Sequence, residues 1–137
     1  MSVQGQFLSG LTMVSSWLNR HQRMVRWVFW LTLILVLALS LKPSPFSIPH
    51  LQLSDKVEHF LAYLALGTLM GFGWAIHKVR PVMVALLILT LVGGAVEIIQ
   101  GTPWIGRTAS WLDLLADILG AFMGLMACAA LHRRLQA

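Results

Sequence analysis

All five carboxylates of this 137-residue chain, Asp55, Glu58, Glu97, Asp113 and Asp117, fall in or beside its most apolar stretches, close to Lys56, His59, Tyr63, Gln100, Arg107 and Ser110. A charge at the middle of a membrane span costs roughly 2.5–3.5 kcal/mol on insertion scales, so several at one depth are expected to face one another or a wet cavity. Histidine beside carboxylates offers general acid–base chemistry, and Lys and Arg offer phosphate recognition, Arg bidentately.

Spacing predicts how these residues meet. Asp55, His59, Tyr63, Gly67 and Gly71 recur every four residues and share one helix face, with Glu58 one turn from Asp55. Glu97 and Gln100 share a face with Gly93, and Ser110, Asp113, Asp117, Gly120 and Gly124 form a further stripe. The small residues below the polar ones let helices approach closely.

Each feature also has a structural explanation. Asp55 and Glu58 fit an N-terminal capping pair, and Ser110-x-x-Asp113 fits a capping box. His59 reads equally as a hydrogen-bonded core histidine, Tyr63 as packing, and the glycine stripes as packing outright. Glu97 and Asp117 break local rules: Asp117 lies a turn inside an apolar block, and Glu97 sits near a helix C-terminus, where the macrodipole disfavours an anion. An ion pair with Lys56 or Arg107 would satisfy them structurally; otherwise they bind or catalyse.

The elements that carry these residues follow from composition. The chain is 58% apolar and 11% charged, with a mean hydropathy of +0.77, against about 25% charged residues in ordinary soluble domains. The expected fold is an all-α membrane protein, a bundle of four transmembrane helices at about residues 25–41, 57–76, 82–99 and 114–131, within a domain of residues 25–137. Pro43, Pro45 and Pro49, then Pro81, then Gly101, Pro103 and Gly106 punctuate the connectors. Ahead of it, residues 1–24 form a cytoplasmic segment in which Phe7, Leu11, Val14 and Leu18 are spaced for an amphipathic surface helix, a loosely ordered tail being the alternative. A cleavable signal peptide ending near Ala38-Leu39-Ser40 competes for the first block, but 26 residues ahead of the apolar run are long for such a leader. The single Cys128 excludes an intrachain disulfide.

The net charge of +5 comes from topology rather than from a nucleic-acid surface. Arg20, Arg23, Arg26, Lys78, Arg80, Arg133 and Arg134 fall on one side of the expected spans. Lys42, Lys56, Arg107 and every carboxylate fall on the other or in the adjoining half of a span. The positive-inside rule then places both termini in the cytoplasm and the polar cluster toward the outer face. The basic excess suits anionic lipid, and no nucleic-acid partner is expected.

The run Asp55-Lys56-Val57-Glu58-His59-Phe60-Leu61-Ala62-Tyr63-Leu64-Ala65-Leu66-Gly67, then Glu97-Ile98-Ile99-Gln100, then Gly106-Arg107 with Ser110 and Asp113, resembles the VanZ-like family over about residues 25–130. The resemblance implies a small multi-pass protein of the bacterial plasma membrane and cell envelope. The family's name comes from a protein linked to tolerance of the glycopeptide teicoplanin. The matching positions are Asp55, Lys56, His59, Tyr63, Glu97, Gln100, Arg107, Ser110 and Asp113. Asp117 is a departure, because the family often has Asn after the Asp-Leu-Leu-Ala stretch.

Several functions compete on this basis. In the first, the cluster binds the headgroup of an envelope lipid, a phospholipid, polyprenyl-phosphate carrier or cell-wall precursor, with Lys56 and Arg107 on phosphate. Asp55, Tyr63, Gln100, Ser110 and Asp117 complete the binding set. In the second, a lipid-phosphate hydrolase or transferase uses His59, Glu97 and Asp113 as its catalytic groups. A metal variant of it would ligate a divalent ion through Asp55, His59, Glu97 and Asp113, but without a Cys/His pattern no metal site or cofactor is assigned. Transport is disfavoured because the cytoplasmic halves of the spans lack a polar stripe, although a homo-oligomer could enclose a path. The last is a structural subunit of an envelope complex.

Overall fold

The computed structural model describes residues 10, 13, 16–17, 20–42 and 52–136. Phe7, Leu11, Val14 and Leu18, and Pro43, Pro45 and Pro49, lie outside the described residues. The described chain forms four long helices: α1 (Gln22–Ser40), α2 (Gln52–Gly73), α3 (Val79–Gln100) and α4 (Trp111–Gln136). Each coincides with one apolar block and runs past it where the flanking polar residues continue the turn. α2 ends at Gly73, short of Ile76, and α1 ends at Ser40 with Leu41 as its C-cap.

The end of α2 shows why it stops. Ala75 adopts φ 50°, and the Ile76 and Ala75 N–H groups donate back to Gly71 O and Phe72 O, the paired closure that follows a left-handed residue after a helix. Arg26 Nε donates to the freed carbonyl of Gly73 at 2.7 Å and its guanidinium lies over the Trp74 ring, pinning α1 to this end of α2.

α1, α3 and residues Trp111–Arg134 of α4 are long and apolar enough to cross a membrane. α2 has the length, but its first turns carry Asp55, Lys56, Glu58 and His59. The distribution of side chains is inverted relative to a soluble protein. Leu31, Ile34, Leu87, Leu91 and Met123 face outward, while His59, Glu97, Gln100, Asp113 and Asp117 are buried. Trp104 and Trp111 are exposed at one end of the bundle, and Trp27 and Trp30 at the other, the places where indole rings anchor at membrane surfaces.

The architecture turns on α2 and α4, which form the most extensive contact and run parallel. Gly120 and Gly124 of α4 lie on the backbone of α2: a Cβ on Gly120 would strike Phe60 O, and one on Gly124 would strike Leu64 O. Gly67 and Gly71 answer from α2 against Ala121 and Cys128. The glycine stripes therefore pack helix on helix, as their spacing implies. Phe29, Tyr63, Leu66, Leu89 and Ala121 fill the centre, and Ile76, Val82, Ala85, Leu125 and Ala129 fill the end that carries most of the Lys and Arg.

Candidate functional site

At the opposite end, the close approach of α2 and α4 sets the register in which their polar residues meet. Lys56 Nζ donates to Asp113 Oδ1 at 3.0 Å, and His59 Nδ1 donates to Asp117 Oδ1 at 2.9 Å, one turn deeper. The same register continues inward as Phe60 against Gly120 and Leu64 against Gly124. Polar pairs occupy the mouth of the interface, glycines its floor.

Two further segments close the cluster. In the connector between α3 and α4, Gly106 takes φ 68°, a left-handed conformation suited to glycine, and the following Arg107 reaches Asp55 Oδ1 with Nη2 at 2.8 Å. From α3, Glu97 Oε2 accepts the backbone N–H of Ser110 at 2.7 Å. Gln100, almost fully buried, donates from Nε2 to Ser40 O at 2.8 Å, satisfying a carbonyl at the end of α1.

These pairings exclude two of the structural alternatives. Lys56 and Arg107 do not neutralise Glu97 or Asp117; they bind Asp113 and Asp55. The reason is depth, since both cations stay partly exposed at the rim while Glu97 and Asp117 lie below them. Nor does Ser110-x-x-Asp113 form a reciprocal capping box. The Ser110 N–H goes to Glu97 on the neighbouring helix, and Asp113 Oδ1 takes Lys56. Glu97 thus does from outside what the box residue would have done from within, placing a carboxylate at the positive end of α4.

The site is therefore layered. The rim consists of two ion pairs with side chains 25–31% accessible, except for the buried Asp113. Beneath it lie His59, Glu97 and Asp117, buried at 8%, 6% and 0% exposure, with ligating atoms within 4.8 Å of one another. Asp55, His59 and Asp113 form a second such group, sharing His59. Among the described residues, Glu97 Oε1 and Asp117 Oδ2 are buried with no hydrogen-bond partner. Asp117 Oδ2 and the Tyr63 hydroxyl press on the bare Cα of Gly93, where a Cβ would come within 2.8 and 3.3 Å of them. Gly93 was read from sequence only as a small residue on the face of Glu97; its place is to make room for these two oxygens.

Nine of the ten residues expected at the site lie at this end of the bundle and Tyr63 borders it from the central core, each in a different capacity. His59, Glu97 and Asp117 form the buried layer with Tyr63 alongside. Lys56, Asp113, Asp55 and Arg107 form the rim. Ser110 contributes its backbone, and Gln100 its amide to α1. Ser40 was not anticipated, because a main-chain carbonyl has no sequence signal. Glu58 is exposed. Chemically, a buried imidazole held by one carboxylate and flanked by another can hold a proton or a cation, and the rim can exchange its ion pairs for an incoming anion. No protein-family model, curated protein or solved structure matches this chain.

Proposed function

We propose that this chain is a four-span protein of the VanZ-like type in the bacterial plasma membrane, with both termini cytoplasmic, whose outward polar site binds the phosphate headgroup of an anionic envelope lipid. The observation that carries this reading is the rim: Lys56 and Arg107, each partly exposed, hold Asp113 and Asp55, whose carboxylates each bring an oxygen within 4.8 Å of the other above a buried polar layer. Partly exposed ion pairs are worth only about 0–1 kcal/mol. A phosphate can therefore displace Asp55 from Arg107, and Arg offers it a bidentate contact. The exposed Trp104 and Trp111 on the same side suit a site at headgroup level. A role in glycopeptide tolerance belongs to this proposal through the family resemblance alone.

The test is native mass spectrometry of the protein released from nanodiscs of its own membrane lipids, beside Arg107→Ala. A phospholipid or polyprenyl-phosphate adduct kept by the wild type and lost by the variant is expected. Adducts indifferent to Arg107 would overturn the reading.

A second reading, a lipid-phosphate hydrolase or transferase, is favoured by the His59–Asp117 hydrogen bond, which fixes an imidazole one turn below the rim. There it is placed to act as acid or base beneath a bound phosphate. Release of phosphate or headgroup by the purified protein, abolished in His59→Ala, is its expected sign.

A further inference from the structure

We infer that the buried layer formed by His59, Glu97 and Asp117 is a binding site for one divalent transition-metal ion. The inference rests on the floor of the cluster and not on headgroup recognition at the rim.

Three features of the floor point the same way. First, its donors are one imidazole and two carboxylates from three different helices, α2, α3 and α4, with ligating atoms within 4.8 Å of one another. Nitrogen and oxygen donors of this kind suit Zn²⁺ or Mn²⁺. The 2.9 Å between His59 Nδ1 and Asp117 Oδ1 is also the separation of two ligand atoms at right angles on one ion, roughly 3.0 Å for bonds near 2.1 Å.

Second, two oxygens stand ready. Glu97 Oε1 and Asp117 Oδ2 are fully buried without a hydrogen-bond partner among the described residues, although a buried acceptor left unmade is costly. Asp117 Oδ2 lies in space that exists because residue 93 has no Cβ. Deeper hydrophobic packing would fill that space with a side chain.

Third, the charges sum correctly. Asp55 and Asp113 are already matched by Arg107 and Lys56, so with His59 neutral the charge left below the rim among the described residues is that of Glu97 and Asp117. Two carboxylates and a neutral imidazole around a divalent ion sum to zero, the condition for holding charged groups in a low-dielectric interior. The other three-residue group, Asp55, His59 and Asp113, lacks this property because both of its carboxylates already hold cations.

The experiment uses the full chain in nanodiscs, stripped with EDTA, dialysed, and titrated with Zn²⁺ and separately with Mn²⁺, bound metal being counted by elemental mass spectrometry. Saturation near one ion per chain is expected. Binding should weaken at least about tenfold in Glu97→Gln and in the isosteric Asp117→Asn, as even outer-shell changes do at metal sites. His77→Gln should bind metal like the wild type, which tests the stacked His77 and His132 rings at the other end of the bundle, 4.0 Å apart, as an alternative site. A wild type that binds no ion, or loss confined to His77→Gln, overturns the inference, as does unchanged binding in both carboxylate variants. If those variants fail to insert, X-ray absorption of the Co²⁺-loaded wild type decides. One imidazole among oxygen ligands supports the site, and an all-oxygen shell of hydrated ion overturns it. Metal retained while the lipid adduct is indifferent to Arg107 overturns the headgroup reading alone; an Arg107-dependent adduct on a chain that binds no metal overturns this one alone.

Discussion

The carboxylate of Glu97, near the end of α3, accepts the backbone N–H of Ser110, just ahead of α4, at 2.7 Å. Thirteen residues of sequence separate them, and the connector between them carries Gly101, Pro103 and Gly106. One side chain thereby closes the α3–α4 connector and caps a helix that its own residues leave open, because Asp113 is committed to Lys56.

Removing this link should loosen the start of α4. Glu97→Ala leaves the Ser110 N–H without its charged acceptor, a loss of about 1–3 kcal/mol. Glu97→Gln keeps a neutral carbonyl oxygen in place and should cost less. Denaturant unfolding in mixed micelles with EDTA present checks both, and hydrogen exchange at residues 110–114 should rise in the alanine variant first. Equal behaviour of the two variants would mean that the charge and the acceptor contribute nothing separable.

His59 and Asp117 should be coupled in stability. His59→Leu strands the Asp117 carboxylate in the core with neither oxygen bonded, which costs about 3–5 kcal/mol when one partner of a buried pair is lost. The His59→Leu/Asp117→Leu double variant removes both polar groups and should recover most of that loss. A double-mutant cycle in micelles containing EDTA measures the coupling; additive single-variant losses would show that the 2.9 Å contact carries no energy of its own.

Which residues would gather was legible in the sequence; how they would pair was not. The four-residue spacing from Asp55 to Gly71 and the stripe from Ser110 to Gly124 each follow from helix geometry within one element, so both faces could be read directly. Pairing depends instead on the register between elements. That register is fixed by Gly120 and Gly124 seating on the carbonyls of Phe60 and Leu64, a contact with no sequence period of its own. It sets Lys56 opposite Asp113 and His59 opposite Asp117, leaving Glu97 without a cation among the described residues. Backbone partners such as Ser110 N–H and Ser40 O were hidden for a related reason: every residue carries those groups, so composition cannot mark the ones that matter.

The glycines should differ sharply in tolerance. Gly124→Ala places a methyl group against Leu64 O and the Thr68 N–H, which are backbone and cannot swing away, so α2 and α4 must separate. Overpacking of this kind costs roughly 1–3 kcal/mol. Gly94→Ala meets nothing within 4 Å and should leave stability unchanged or raise it slightly, since alanine is the better helix former. Thermal melts of the two variants side by side would test the assignment; equal losses would contradict the seating of Gly124 on α2.

The proposed orientation predicts which positions a membrane-impermeant thiol reagent can reach. Native Cys128 is buried against Gly71 and should stay unlabelled, so it need not be removed. Thr108 is exposed in the connector beside Arg107, and Val79 is exposed at the start of α3 beside Lys78 and Arg80. Neither is charged, so Thr108→Cys and Val79→Cys leave the Lys and Arg bias that sets topology intact. Thr108→Cys should react in intact spheroplasts, and Val79→Cys only after the membrane is opened. α3 is apolar enough to span and separates the two positions, so they must lie on opposite sides if it does. Labelling of both from one side would remove α3 as a span. The reverse pattern would keep it and turn the polar site toward the cytoplasm, where outer-leaflet headgroups cannot reach Arg107.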